Sequence, residues 1–171
     1  MDYQPYCGNY WSFIFPRCNK CPRGHKCGLT TVTKCPNEGL TIKGNLFVGQ
    51  VCVPNTKEGD IIYRMSKSAE YYLEMKAFAS TCVGQGNPLT SKKELETYLL
   101  KKYPKSSHPK FDEYFVEMEK LMRIYPIHYK IYLEGSNNET TLYSSFKFQS
   151  KMQCLLKPWN YVELWIFRDQ L

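Results

Sequence analysis

The residue types closest to catalytic or metal-binding chemistry stand together near the N-terminus: Cys18, Cys21, His25 and Cys27. A C-x-x-C pair can catalyse thiol–disulfide exchange when a helix N-terminus lowers the pKa of one thiol, usually within a βαβ pattern. Here Pro22 follows the pair directly and no strand–helix pattern surrounds it, which disfavours redox catalysis. The same four residues have the chemistry of a zinc ligand set. A zinc site would leave Cys35 and Cys52 without nearby partners, which makes it the weaker interpretation.

The eight cysteines together favour a disulfide framework. Six lie within the first 52 residues and two follow, in the order Cys7, Cys18, Cys21, Cys27, Cys35, Cys52, Cys82 and Cys154. Free thiols tend to be scattered through core elements, whereas an even number clustered among prolines and glycines is typical of stapled loops in an oxidising compartment. Asn138-Glu139-Thr140 is a sequon that is usable only in a secretory compartment, so Asn138 is a candidate glycosylation site.

Length and composition are those of a globular domain. The chain has 171 residues, of which 43% are hydrophobic, 23% charged and 15% aromatic, enough to bury a core. It contains no apolar run of the roughly 18 residues that a membrane-spanning helix needs. Its first residues do not have the pattern of a signal peptide.

The positive charge is concentrated in residues 1–56. The whole chain has a formal net charge of +7, and this segment carries six basic and two acidic residues. A nucleic-acid-binding protein more often has a basic stripe along one helix. We therefore interpret Arg17, Lys20 and Arg23 either as a solvated face or as a candidate protein-interaction surface.

No other set of residues predicts catalysis. His25, His108 and His128 are far apart in the sequence, and the chain contains no nucleophile elbow, phosphate-binding loop or H-E-x-x-H sequence. We therefore expect a non-enzymatic protein with no catalytic residue, no metal site and no cofactor.

The sequence changes character after residue 56. Residues 1–56, here called the cysteine-rich head, are punctuated by proline and glycine, which predicts stapled loops and short strands. Residues 57–171 form a predicted body, with helices at about 57–79, 91–103 and 109–124 and strands at about 128–134, 140–148 and 159–167. The predicted fold class is α+β: a small, disulfide-rich, irregular N-terminal module packed on three helices, followed by a β-hairpin and a final strand, all in one compact unit.

Polar residues mark the predicted helix starts. Asn55 or Thr56 can cap the first helix, and Asp60–Arg64 has the i,i+4 spacing of a supporting ion pair. Ser91-Lys92-Lys93-Glu94 has the pattern of a capping box at the start of the second helix.

Geometry restricts the pairing of Cys52 and Cys82. A single helix over 57–79 is about 34 Å long at 1.5 Å per residue, and the short connections on either side of it cannot fold back over that length. Because bridged Cα atoms lie within about 7 Å of each other, Cys52 must pair inside the head, and Cys82 is left with Cys154. Within the head, Cys35–Cys52 is the favoured pair, and the remaining pairings stay open.

Several short sequences carry a family resemblance, in the order Tyr6-Cys7-Gly8, Cys18-x-x-Cys21-Pro22-x-x-x-x-Cys27, Lys34-Cys35-Pro36-x-x-Gly39, Val51-Cys52-Val53-Pro54-Asn55, Ser80-Thr81-Cys82 and Leu89-Thr90-Ser91-Lys92-Lys93-Glu94-Leu95. With this ordered cysteine ladder, residues 6–122 resemble the lumenal domain of LEM-type (helix-extension-helix) inner nuclear membrane proteins, the Man–Src C-terminal family. Two features depart from the family pattern. Asn55 stands where the family often has Asp, and the helix after Cys52 is rich in Tyr and Lys where an Arg/Glu pattern is usual.

The resemblance implies a lumenal domain in the perinuclear space, which is continuous with the endoplasmic reticulum. Such proteins tether chromatin to the nuclear envelope and take part in nuclear pore assembly and surveillance through their nucleoplasmic parts. The resemblance therefore implies that this segment binds a lumenal protein partner or a second copy of itself. It also implies that the parent protein is anchored in the membrane, and reaches nucleic acid, only through segments outside this sequence.

A second interpretation is a zinc-stabilised, winged-helix-like domain that binds nucleic acid, because helices followed by a hairpin also describe that fold. The third predicted helix opposes this interpretation with four acidic residues: Asp112, Glu113, Glu117 and Glu119. Carboxylates are poorly suited to a helix that faces phosphates.

Overall fold

The computed structural model describes residues 6–7, 18–29, 31–45, 49–125, 129–133, 141–145 and 154. Its strands are β1 (Lys26–Cys27), β2 (Val32–Lys34), β3 (Leu40–Asn45), β4 (Gly49–Pro54), β5 (Thr90–Ser91), β6 (Tyr129–Leu133) and β7 (Thr141–Ser145). Its helices are α1 (Lys57–Phe78), α2 (Lys92–Lys102) and α3 (Phe111–Ile124), and a π-helical turn, Ala79–Val83, follows α1. Three helices, short antiparallel strand pairs and a disulfide-rich N-terminal region confirm the predicted α+β fold class.

The strands form three small antiparallel sheets. Two of them, β1–β2 and β3–β4, are two-stranded and belong to the cysteine-rich head. The third has the order β5-β7-β6, in which β6 and β7 are the predicted hairpin, with Tyr129 opposite Ser145 and Leu133 opposite Thr141. The strand predicted over 159–167 lies outside the described residues. No helix within the described part of the chain is long and apolar enough to cross a membrane.

A tight turn leads from β4 into α1. Of the two predicted caps, Thr56 is the one used: its hydroxyl accepts the N–H of Gly59 at 3.2 Å. Gly59 is buried, and a Cβ at this position would overlap the carbonyl oxygen of Pro54. The Asp60 carboxylate lies 2.9 Å from Lys43 Nζ of β3, and Lys43 first and Arg64 to a smaller extent lower its pKa.

The end of α1 differs from an ordinary helix terminus. The π-helical turn contains Cys82 and ends at Gly84, which takes the left-handed conformation at φ 73°. Gln85 donates its N–H to the carbonyl of Ala79 at 2.9 Å, which satisfies one of the last free carbonyls of the helix. Cys82 lies inside this wider turn, whereas the helix predicted over 57–79 ends before it.

The start of α2 contains half of the predicted capping box. Ser91 accepts the N–H of Glu94 at 3.3 Å, as an N-cap does. The Glu94 carboxylate, however, binds residues of α1 instead of completing the box.

The chain divides into two compact units. The units are Met1–Ser66 with Lys110–His128, and Lys67–Pro109 with Tyr129–Leu171. The first unit therefore contains the head, the start of α1 and α3. Its hydrophobic cluster explains the grouping, because Tyr125, which ends α3, is buried there with Val32 and Val53 of the head.

Candidate interaction surface of the cysteine-rich head

All eight cysteines form disulfides. The pairs are Cys7–Cys18, Cys21–Cys27, Cys35–Cys52 and Cys82–Cys154, with Cα–Cα distances of 5.0, 6.0, 5.9 and 5.7 Å. These distances lie within the range of ordinary disulfide geometry. The last two pairs are the ones that the sequence reasoning favoured, and the first two were left open there. Four bridges fit a lumenal or secretory compartment.

The pairing separates the residues that suggested redox or zinc chemistry. Cys18 and Cys21 bond to different partners, so the C-x-x-C sequence does not form a disulfide of its own. His25 is also engaged: its Nε2 lies 2.5 Å from the hydroxyl of Tyr125, and its Nδ1 lies 3.0 Å from the carbonyl oxygen of Arg23. These bonds give each member of the proposed zinc set another role.

A small hydrophobic cluster holds the head together. Its buried members are Tyr6, Val32, Val51, Cys52, Val53 and Tyr125. Burial raises the pKa of Tyr6. Burial also raises the pKa of Tyr125, although the hydrogen bond from the Cys52 N–H opposes that rise. Both phenols therefore stay neutral at physiological pH, as a low-dielectric site requires.

The β3–β4 hairpin has one covered edge and one open edge. Asn55 donates its N–H to the carbonyl of Gly39 at 3.0 Å, just beyond the ends of the strands. Because hydrogen-bonded and non-hydrogen-bonded pairs alternate in an antiparallel ladder, Ile42↔Cys52 is a non-hydrogen-bonded pair. The Cys52 N–H then points away from β3, and it donates to the Tyr125 hydroxyl at 3.0 Å.

A groove of about 640 Å³ lies next to β3 and is lined by residues 33–38 and 40–42. Pro36, Leu40 and Ile42 give it apolar surface, and Lys34 and Glu38 give it charge. Cys35 is one of the lining residues, and its bridge to Cys52 fixes that side of the groove to β4. The groove therefore has a covalently fixed frame.

Four basic side chains of the head are exposed, and none forms an ion pair with a described residue: Lys20, Arg23, Lys26 and Lys34. We call this set the cationic face. Lys26 and Lys34 are directly opposite each other in the β1–β2 pair. Like charges in that arrangement repel and destabilise a strand pair. The one other described lysine of the head, Lys43, is neutralised by Asp60.

The sequence analysis proposed Arg17, Lys20 and Arg23 as the interaction surface. Lys20 and Arg23 are exposed, whereas Arg17 lies outside the described residues, as does the glycosylation candidate Asn138. Neither Lys26 nor Lys34 was part of the predicted surface, because only the strand register brings them opposite each other. The signal in the sequence that could have identified these two lysines is that they lie close to prolines and cysteines.

A second polar cluster lies in the other unit. Glu94 Oε1 accepts hydrogen bonds from Tyr72 at 2.9 Å and from Lys76 at 2.8 Å, and Lys76 also donates to the carbonyl of Leu89 at 3.3 Å. Tyr72 stacks on Tyr98, with ring centroids 4.2 Å apart. Burial, and then the Glu94 carboxylate, raise the pKa of Tyr72 far above its ordinary value. Because these groups satisfy one another, the cluster joins α1 to α2 and has no need of a ligand.

No protein-family model, curated protein or solved structure matches this chain. Its fold and site define it as a disulfide-bonded α+β protein whose cysteine-rich head carries a groove and an exposed cationic face.

Proposed function

We propose that this chain is a non-enzymatic interaction domain of the nuclear envelope lumen. It would belong to an inner nuclear membrane protein that contributes to nuclear envelope organisation, chromatin tethering and nuclear pore assembly or surveillance. The observation that supports an interaction role is the cationic face, in which Lys26 and Lys34 are opposite each other on a disulfide-fixed head. A like-charge pair lowers stability, so its presence favours a binding role.

Two further observations support the proposed place of action. The four disulfides persist only in an oxidising space, and the nuclear envelope lumen is one. The ordered cysteine ladder of residues 6–82 supports the narrower assignment to an inner nuclear membrane protein, through its resemblance to the Man–Src C-terminal family. The partner in this proposal is a lumenal protein or a second copy of the chain.

The test combines localisation with capture of the partner. The full-length protein is expressed in cells of its source organism, once with the native head and once with Lys26→Glu and Lys34→Glu combined. Proteins are cross-linked in the intact cells before purification. The matched control carries Lys93→Glu and Lys101→Glu, which reverse the charge of two exposed lysines of α2. We expect a lumenal protein, or a second copy of the chain, to be captured with the native and control proteins and lost with the reversed head.

Three results would contradict the proposal. One is localisation outside the nuclear envelope and endoplasmic reticulum. Another is capture that is unchanged by charge reversal of the head. The third is sequence-specific DNA binding that survives roughly 200 mM salt, because that result would favour the winged-helix interpretation.

A further inference from the structure

We infer that the open edge of β3 binds an extended acidic segment of the partner, which adds as a strand and places a side chain in the adjacent groove. This inference rests on the proposed interaction role and narrows it to one surface and one class of ligand. Three features of the head support it: the alternating hydrogen-bond directions of the β3–β4 hairpin, the groove beside β3 and the charges around that groove.

The first step is the backbone edge of β3. Ile42 and Gly44 belong to non-hydrogen-bonded pairs of the hairpin, as Cys52 does. Their N–H and C=O groups therefore point away from β4. On the β4 side, the Cys52 N–H donates a hydrogen bond to the Tyr125 hydroxyl. On the β3 side, the described part of the chain provides no strand beyond β3 and no hydrogen-bond partner for the Ile42 and Gly44 amides. An extended peptide can pair with such an edge through its main chain.

The second step is the groove beside that edge. Leu40 and Ile42 of β3 contribute to its lining, so a strand paired with β3 would run along it. Side chains of an added strand alternate between two faces. One face would therefore point a side chain between Pro36 and the apolar residues of β3. At about 640 Å³, the groove has room for several side chains of ordinary size.

The charges around the groove select the class of partner. Lys34 lines the groove and lies opposite Lys26 in the neighbouring sheet. A carboxylate placed between these two ammonium groups would relieve their repulsion and form two ion pairs. The lining itself has one basic residue, Lys34, and one acidic residue, Glu38, and Lys26 opposite Lys34 adds the second positive charge. The complementary partner is a peptide that alternates Glu or Asp with β-branched apolar residues.

The experiment measures binding of a synthetic peptide of alternating Glu and Val to the oxidised protein. One control peptide carries a central proline, which removes a main-chain donor, and another replaces Glu by Lys. We expect the acidic peptide to bind and both controls to bind at least about tenfold more weakly. Lys26→Ala with Lys34→Ala should weaken binding by about two- to thirtyfold, whereas Lys93→Ala with Lys101→Ala should not change it.

A protein variant tests the strand edge directly. Because the Ile42 N–H faces away from β4, Ile42→Pro removes the group that an added strand would bind and leaves the hairpin ladder intact. Ile42→Val keeps the N–H and is the matched control. We expect only Ile42→Pro to abolish peptide binding, and we expect the native protein to show slower hydrogen exchange at Ile42 and Gly44 when peptide is bound. If Ile42→Pro does not fold, the proline peptide and the exchange measurement still decide the question.

The outcomes separate this inference from the proposed function. If the peptide does not bind, while partner capture still depends on Lys26 and Lys34, strand addition is wrong and the interaction role stands. If both fail, both proposals are wrong. Peptide binding that is unchanged by the central proline of the peptide and by Ile42→Pro would show that charge attraction alone causes the binding. That result would overturn the inference. Preferential binding to vesicles with anionic lipids at physiological salt would overturn it in favour of a membrane surface.

Discussion

The Tyr125 hydroxyl, at the end of α3, accepts the outward-facing N–H of Cys52 in β4 at 3.0 Å. The same hydroxyl is 2.5 Å from His25 Nε2. One arrangement of protons satisfies every group: Cys52 donates to Tyr125, Tyr125 donates to His25 Nε2, and His25 Nδ1 donates to the carbonyl of Arg23. One buried phenol thus connects α3 to β4 and to the loop that contains Arg23.

Tyr125→Phe should destabilise the first unit. The substitution keeps the ring in the hydrophobic cluster but leaves the Cys52 N–H and His25 without their partner. Loss of one partner from a buried hydrogen bond costs about 1–3 kcal/mol of unfolding free energy. Urea unfolding of the oxidised protein would measure this loss. The matched control is Tyr98→Phe, because the Tyr98 hydroxyl makes no hydrogen bond within the described residues. Equal stability of the two variants would contradict the proposed network.

The limits of sequence reasoning are visible at these same residues. The length of one helix was sufficient to exclude Cys52–Cys82 and to leave Cys82 with Cys154, because that argument depends on local spacing. The grouping of α3 with the head was not predicted, because Tyr125 and Cys52 are 73 positions apart and neither residue carries a local signal for the contact. The sequence predicts the interaction of Asp60 with its helical neighbour Arg64, but not the ion pair with Lys43, which the hairpin brings to Asp60.

The proposed binding surface was even harder to predict from the sequence. Lys26 and Lys34 become opposite only through an irregular register, in which Cys27 pairs with Val32. A shift of one residue in that pairing would place the two lysines elsewhere. Sequence patterns indicate that strands exist in such a head, but they do not indicate the register in which the strands pair.

Gly59→Ala should be strongly unfavourable although alanine is the better helix former. A Cβ at position 59 would overlap the carbonyl oxygen of Pro54, so the turn between β4 and α1 would have to move. Overpacking of this kind typically costs about 1–3 kcal/mol. The control is Gly39→Ala, because a Cβ there meets nothing within 4 Å and its effect should stay within about 0.5 kcal/mol. A thermal melt that is unchanged by Gly59→Ala would show that this turn is not as tight as described.

Glu94→Ala should destabilise the second unit because it leaves a buried ammonium group without its carboxylate. The side chain of Lys76 is 9% exposed, and that of Glu94 is 41% exposed. The cost should therefore fall below that of a fully buried pair, at about 1–3 kcal/mol. Adding Lys76→Met should recover most of the loss, because the double variant buries no unpaired charge. The control is Glu117→Ala, which breaks an exposed pair with Lys120 and should change stability by less than about 1 kcal/mol. A double variant less stable than Glu94→Ala would contradict this account.

Stability should also fall in alkaline solution because of Tyr6, Tyr72 and Tyr125, three of the buried phenols. Burial is the largest cause of the raised pKa of each, above the ordinary value of 10.0. The folded protein therefore keeps these protons at a pH where the unfolded chain has released them. The stabilisation is complete below about pH 10 and is lost as the pH rises through and above it, by at most about 1.4 kcal/mol per pH unit for each phenol. Urea unfolding at a series of pH values, measured before disulfide exchange sets in, would test this, and Tyr72→Phe should make the decline less steep. A free energy of unfolding that stays constant through the titration of the exposed tyrosines would show that the phenols are not protected by burial.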